Sequence, residues 1–343
     1  MSRPASRDLK VKRPRGAKST VATQADVARA ANVSQSAVSR VFAGHGYVAP
    51  EVREKIEAAG RRLNYSPNLV ARTMAKGRSN IVAVLTTAIT HPFVPHLLEQ
   101  LTLATQARGL DVLLLNVPQG QQIERLVPLA KAYRVKGIIV ANVTLAESSM
   151  ALARQGGTPV VIVNRYAEDE GVHTVSCDNV DGARRIANDM LNAGLRRLAF
   201  IGGLATSATN TARRKGFLDK LAERGIAPAL VAEGAFSHAW GYEAAGRLKR
   251  ECPDVDGVFC GDDVVALGVI DGYRDEPNPS GTMPAIVGFD DIPSASWSPY
   301  MLTTFRNPLE EMVEAALDML DLPADARPQR KLLAGTLIRR RSF

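Results

Sequence analysis

The chain has 343 residues, long for one core and enough for two or three lobes, with the 45% hydrophobic and 23% charged content of an ordinary soluble globular protein. No apolar run approaches the roughly 18 residues a membrane span needs, the basic N-terminus lacks the apolar segment of a secretory signal, and Cys177, Cys252 and Cys260 form no CxxC pair. Membrane, export and structural-zinc roles are set aside, and a cytoplasmic protein with buried free thiols is expected. The net charge of +8 is unevenly placed: residues 1–78 hold 16 Lys/Arg against 5 Asp/Glu, +11, and the remainder holds 27 against 30, −3. A basic head on a near-neutral body is the electrostatic footprint of a nucleic-acid module.

Residues 1–20 are rich in Arg, Lys, Pro and Ser without periodicity and predict a disordered basic arm. Thr23-Gln-Ala-Asp26 follows as a capping-box-like start to a helix of about two turns, with Val27, Ala28 and Ala31 facing inward. Asn32-Val33 turns the chain and Ser34 can cap a second helix over 35–43. After a loop with Gly44 and Gly46, Pro50 suits the first position of a third helix, where Val52, Ile56, Ala59 and Leu63 recur at helical spacing. The second helix carries Gln35, Ser36, Ser39 and Arg40 away from Val38 and Val41. Three short helices with this one polar side out predict a helix-turn-helix whose open face meets DNA. Arg40 can pair bidentately with guanine and Gln35 suits adenine.

From residue 80 apolar runs alternate with amphipathic helices: "IVAVLTT", "DVLLLN", "GIIVAN", "PVVIVN", "RLAFIGG", "GVFCGD" and "AIVGFDD". Continuous Val/Ile/Leu runs between helices predict parallel sheet covered on both faces. Seven such units exceed one doubly wound lobe, so the α/β body divides into two near residue 176. Ligands of such sheets bind at the carboxyl ends of the strands. Those ends are polar here: Thr86-Thr87, Asn116, Asn142, Asn164, Asp262-Asp263 and Asp290-Asp291.

The segment from Thr23 to Ser79 carries D-V-A, V-S-x-x-x-V-S-R-V, V-R-E-K-I and L-N-Y-x-P-N-x-x-A-R; V-x-C-D-N (175–179), G-D-D-V-V-A-L-G (261–268) and V-G-F-D-D (287–291) continue the pattern. In these motifs the chain resembles the lactose-repressor (LacI) family of bacterial transcription regulators. The resemblance implies a helix-turn-helix domain (21–66), a hinge helix and linker (67–79), and a two-lobed core (80–343) like a periplasmic sugar-binding protein. Within that core the first lobe is expected over about 80–175 plus 306–322, and the second over about 176–305 plus 323–343. It further implies a homodimer on an inverted-repeat operator, with recognition helices in major grooves, hinge helices in a central minor groove, and an effector between the lobes. The expected DNA contacts are Thr23, Ser34, Gln35, Ser36, Ser39 and Arg40 in the head and Tyr65, Asn68, Ala71 and Met74 around the hinge, Met74 standing where relatives wedge a Leu into the minor groove. Ala49 replaces the Ser or Thr that commonly caps the third helix and touches phosphate.

For the cleft, the resemblance implies that Asp290 accepts from ligand hydroxyls and that Arg213 donates to ligand oxygens. Phe236 stacks on a sugar ring, and Asp262 and Asn164 add polar contacts. A second family Arg, two residues before Arg213, is Thr211 here. Phe93, following the first strand, is placed to close the cleft. His91, His96, His173 and His238 are scattered without metal spacing and receive no role. No G-x-S-x-G elbow, Walker loop, GxGxxG or metal cluster supports an enzyme, and no cofactor is expected. A transport-type binding protein is disfavoured by the basic head. The reading is a non-enzymatic DNA-binding repressor controlled by a sugar or sugar acid, with a purine-type corepressor as the alternative. With no heptad repeat after "GTLIRRRSF", a dimer is favoured over a tetramer.

Overall fold

The computed structural model describes residues 22–43, 46–66, 79–87, 89–117, 126–141, 157–165, 171–278, 281–323 and 325–343, in two compact units, Met1–Lys76 and Gly77–Phe343. The expected basic arm, the hinge segment 67–78 with Asn68, Ala71 and Met74, and Asn142 lie outside the described residues.

The first unit holds α1 (Gln24–Ala31), α2 (Gln35–Ala43) and α3 (Pro50–Arg62). Local chemistry sets each start. Asp26 N–H donates to Thr23 Oγ1 at 3.3 Å while Thr23 N–H donates to the Asp26 carboxylate at 2.9 Å, a reciprocal cap on α1. The Thr23 hydroxyl also donates to that carboxylate at 2.7 Å, and these bonds lower the Asp26 pKa. Ser34 Oγ accepts from Ala37 N–H at 3.2 Å at the head of α2. α3 begins on Pro50, but Ala49 ahead of it supplies no side-chain cap. Val27, Ala28, Val38, Val41, Ile56 and Ala59 bury together as the unit's small core.

The second unit is built from two sheets. β1 (Ile81–Thr86), α4 (Phe93–Ala107), β2 (Asp111–Asn116), α5 (Leu126–Ala132), β3 (Gly137–Ala141), β4 (Val160–Val163) and β5 (His173–Cys177) form the first lobe. The second contains α6 (Asn179–Asn192), β6 (Leu198–Gly202), α7 (Ala208–Glu223), β7 (Leu230–Glu233), α8 (His238–Glu251), β8 (Gly257–Cys260), α9 (Asp263–Asp275), β9 (Ala285–Asp290) and β10 (Thr303–Arg306). The chain then returns, and α10 (Leu309–Leu320) packs on α4, β4 and β5. β11 (Arg330–Leu333) pairs in parallel with β5, and β12 (Thr336–Ile338) pairs antiparallel with β10.

The sheets therefore run β11-β5-β4-β3-β1-β2 and β12-β10-β9-β8-β6-β7. Apart from their last-joined edges they share one doubly wound order, with the chain reversing direction from its first strand in each. The central strands β3, β4, β6 and β8 are buried along their whole length, as all-apolar runs require when helices cover both faces. One boundary differs from the sequence expectation. Residues 323–333 were assigned with the second lobe, but β11 belongs to the first sheet, so the chain crosses between lobes at 334–335 rather than at 322. The short "RKLL" strand, exposed along most of its length, has no hydrophobic pattern that names its partner.

Candidate functional site

On the head, the polar face of α2 is open. Gln35, Ser36, Ser39 and Arg40 are exposed, whereas Val38 on the opposite face is fully buried. Arg40 Nε donates to the Ser36 carbonyl at 3.3 Å, and the Ser34 and Ser36 hydroxyls lie 2.9 Å apart. The face thus offers guanidinium, amide and hydroxyl groups, which are the donors and acceptors that base edges require. Two expected DNA residues have structural duties as well: Thr23 and Ser34 hold the helix caps. Tyr65 is half-buried, its ring edge-on to Phe42 at 5.1 Å. Burial raises the Tyr65 pKa, against the opposing hydrogen bond from the Gln24 side chain.

In the core, a cavity of about 460 Å³ lies outside the carboxyl ends of the strands, between the lobes. All six residues expected at the effector site line it: Phe93 and Asn164 from the first lobe, Arg213, Phe236, Asp262 and Asp290 from the second. Of the other polar strand ends, Thr87 also lines it.

The second-lobe wall is a bonded network. Arg213 on α7, 2% exposed, donates from Nη2 to Asp290 Oδ1 at 2.7 Å, from Nη1 to the Gly261 carbonyl at 2.7 Å and from Nε to Asn179 Oδ1 at 2.8 Å. Its guanidinium lies 3.8 Å over the Phe289 ring, a cation–π contact. Asn307 Nδ2 adds a 2.8 Å bond to Asp290 Oδ1, leaving Asp290 Oδ2 with only a long 3.5 Å contact to Arg213. Burial raises the Asp290 pKa to about 6, with Arg213 opposing and the nearby Asp262 adding to the rise.

Asp290 sits at φ 112° and Asp291 at φ 51°, left-handed values that cost non-glycine residues roughly 1–3 kcal/mol each. The turn is pinned from beneath: buried Asp263 accepts from Ile292 N–H at 2.9 Å and from Thr304 Oγ1 at 2.5 Å, and Arg306 and Arg340 bind Asp291 at 2.6 and 2.7 Å. Phe236 lies against Gly203, where a Cβ would come within 2.1 Å of the ring, so only glycine leaves the ring that place.

The first-lobe wall is sparser. Asn164, at φ 63° after β4, is buried with its Oδ1 lacking a protein partner. Phe93 begins α4 and is 3% exposed, packed mainly into the first lobe's core while its edge lines the cavity.

His91, given no role from sequence, stands in this wall. Its Nε2 reaches across the cleft to 3.3 Å from Asp262 Oδ2, an ion-pair approach too poorly aligned for a hydrogen bond. Its ring edge meets Phe236 at 6.4 Å between centroids. Burial works against the His91 cation, but Asp262 and then Asp290 outweigh it and hold the imidazole pKa above its ordinary value, with Arg213 opposing. Burial likewise raises Asp262, yet His91, Arg213 and the Val264 N–H that it caps at 2.7 Å bring it below the ordinary value. Asn179 and Asn307, which complete the Arg213–Asp290 network, were also not predicted. Asn179 closes the V-x-C-D-N motif, so its position was visible although its bond was not; nothing local marks Asn307.

Comparison with known proteins places both units. The description "Bacterial regulatory proteins, lacI family" matches residues 23–68, and "Periplasmic binding proteins and sugar binding domain of LacI family" matches residues 78–281. The HTH-type transcriptional regulator AscG of Escherichia coli is 27% identical over 94% of this chain and 98% of its own. The ribose operon repressor of the same organism is 28% identical over 88% of this chain and 92% of its own. Among solved structures, the transcriptional regulator CelR–cellobiose complex has 26% identity and a TM-score of 0.70, covering 94% of this chain and all 100% of that one. The lac repressor dimer bound to operator and the anti-inducer ONPF superposes with a TM-score of 0.85 at 23% identity over 94% of this chain and 99% of that one, a likeness of fold. With a helix-turn-helix head and a two-lobed sugar-binding-type core matched in one polypeptide, the chain belongs to the LacI family of bacterial regulatory proteins.

Proposed function

We propose that this protein is a transcriptional repressor that binds an inverted-repeat operator as a homodimer and is controlled by a sugar-class effector held between its lobes. The observation that carries the reading is the cavity of about 460 Å³ walled by polar and aromatic side chains of both lobes, in the same chain as an open, polar α2. A ligand there touches both lobes, so it favours whichever lobe arrangement it fits better, and a differential of about 1–3 kcal/mol suffices to regulate.

In this reading Gln35, Ser36, Ser39 and Arg40 face base edges and Thr23, Ser34 and Tyr65 the DNA backbone, with Asn68, Ala71 and Met74 acting at the hinge. In the cleft, the under-bonded Asp290 Oδ2 accepts a ligand hydroxyl, Arg213 braces that carboxylate, Phe236 packs on the sugar face, and Asn164, Asp262 and Phe93 complete the enclosure. The chain divides into a basic arm (1–20), a head (21–66), a hinge (67–79) and a core. A regulator of this kind works where the chromosome lies, in the cytoplasm, and binds its ligand without turning it over. The relatives, a ribose operon repressor and a regulator in complex with cellobiose, support a sugar.

The test is operator binding by fluorescence anisotropy with sugars, sugar acids and purines added singly. A sugar that shifts the operator Kd in wild type but not in Asp290→Ala supports the reading; a shift produced by purines alone replaces it.

A further inference from the structure

Four basic side chains line the cleft, and each has an interaction. Arg213 is held by Asp290, Asn179 and the Gly261 carbonyl. His238 Nε2 meets Asp271 Oδ2 at 2.8 Å. Arg165 has an interaction of its own, and burial lowers its pKa. His91 faces Asp262 at 3.3 Å. The Ser207 and Thr209 hydroxyls share one hydrogen bond at 2.9 Å. Among the acceptors that face the cleft three are under-bonded: Asn164 Oδ1 without a partner, Asp290 Oδ2 with only its 3.5 Å contact, and Asp262 Oδ2 with a misaligned one.

We propose that the His91–Asp262 pair makes this cleft select neutral, hydroxyl-rich ligands over their carboxylate- or phosphate-bearing counterparts, with His91 as the specificity-determining residue. The proposal rests on the sugar-class reading above and narrows it. Hydroxyl groups donate to the three open acceptors. An anion meets two carboxylates, and freeing Arg213 or His91 to receive it means breaking a buried ion pair, which leaves an uncompensated charge. His91 is the deciding group because its pairing balances the second carboxylate. The charged groups facing it are Asp262, Asp290 and Arg213, and its remaining neighbour in the cleft is the Phe236 ring. Replacing Asp262 with Asn keeps a side-chain oxygen to cap α9 but removes the carboxylate that faces His91.

The experiment is isothermal titration of the full chain with neutral pentoses, hexoses and disaccharides and with the uronic acids, aldonic acids and phosphates derived from them. In wild type a neutral sugar should bind at least tenfold tighter than its acid or phosphate. Asp262→Asn, which removes one of the two cleft carboxylates, should narrow that ratio at least tenfold. His91→Gln, which removes the cation but keeps the carboxylate, should widen the ratio. The proposal is overturned if wild type binds an acid as tightly as its neutral parent, or if neither variant moves the ratio. Binding of a non-sugar alone overturns the sugar reading first, and this selectivity with it.

Discussion

The second lobe meets the cleft with side chains bonded to one another, whereas the first brings Asn164 and His91, each with a buried polar atom that makes no hydrogen bond. Arg213, Asp290, Asn179, Asn307 and the Gly261 carbonyl form a closed network fixed on strained but pinned backbone. Across from them, Asn164 Oδ1 and His91 Nε2 are buried without hydrogen bonds. A prebuilt wall is suited to reading the orientation of a ligand, because its geometry costs nothing to organise at binding. An under-bonded wall gains most from a ligand, because its desolvated polar atoms acquire partners only then. Orientation thus belongs to one lobe and closure to the other.

The largest expected effect breaks the locked wall. Arg213→Ala leaves the Asp290 carboxylate buried without its cation, and chemical denaturation should report a loss of about 3–5 kcal/mol, together with loss of effector response. Gly216→Ala strikes the same wall through the backbone. A Cβ there would sit 2.2 Å from the Val180 carbonyl, forcing α7 off α6 one turn from Arg213. Overpacking of this kind costs about 1–3 kcal/mol, and a melting curve unchanged from wild type would refute the close contact.

Asn164→Gly tests the open wall. Glycine accepts φ 63° and removes only an amide whose oxygen has no protein partner, so stability should stay within about 0.5 kcal/mol. Ligand affinity should nonetheless fall about tenfold, or about 1.4 kcal/mol. Equal losses in both would erase the contrast between the walls. Ala49→Ser, away from the cleft, should add about 1 kcal/mol of head stability by supplying the missing cap on α3, read as slowed amide exchange over 50–53.

The smallest effect is pH-linked. His91 has its folded pKa raised above the ordinary 6.5, so its contribution is fully present below about 6.5 and lost as pH rises through the folded value. The melting temperatures of wild type and His91→Gln should therefore differ at acid pH and converge at alkaline pH.

Features set by neighbours in sequence were the most legible. The Thr23–Asp26 cap, the Ser34 cap and the Pro50 start are chemistry within four residues, and they fall where the pattern puts them. The parallel strands were legible because burial on both faces demands unbroken apolar runs. Asp290, Arg213 and Phe236 entered through family resemblance rather than through spacing, since each lies on a different element. His91 was missed because its significance depends on Asp262, 171 positions later and in the other lobe. The assignment of residues 323–333 failed for a related reason: an exposed edge strand carries no apolar signature of the sheet it joins.

That edge strand has a consequence for the order in which the protein can be completed. The first sheet has five of its strands by Cys177, but its sixth, Arg330–Leu333, and the covering helix Leu309–Leu320 lie beyond the whole second lobe. At about 5–20 residues per second, a ribosome needs roughly 8–30 s to travel from the fifth strand to the sixth. Throughout that interval the β5 edge is unpaired and its apolar cover is missing, so the first lobe to be started is the one that must wait for most of the other to be made.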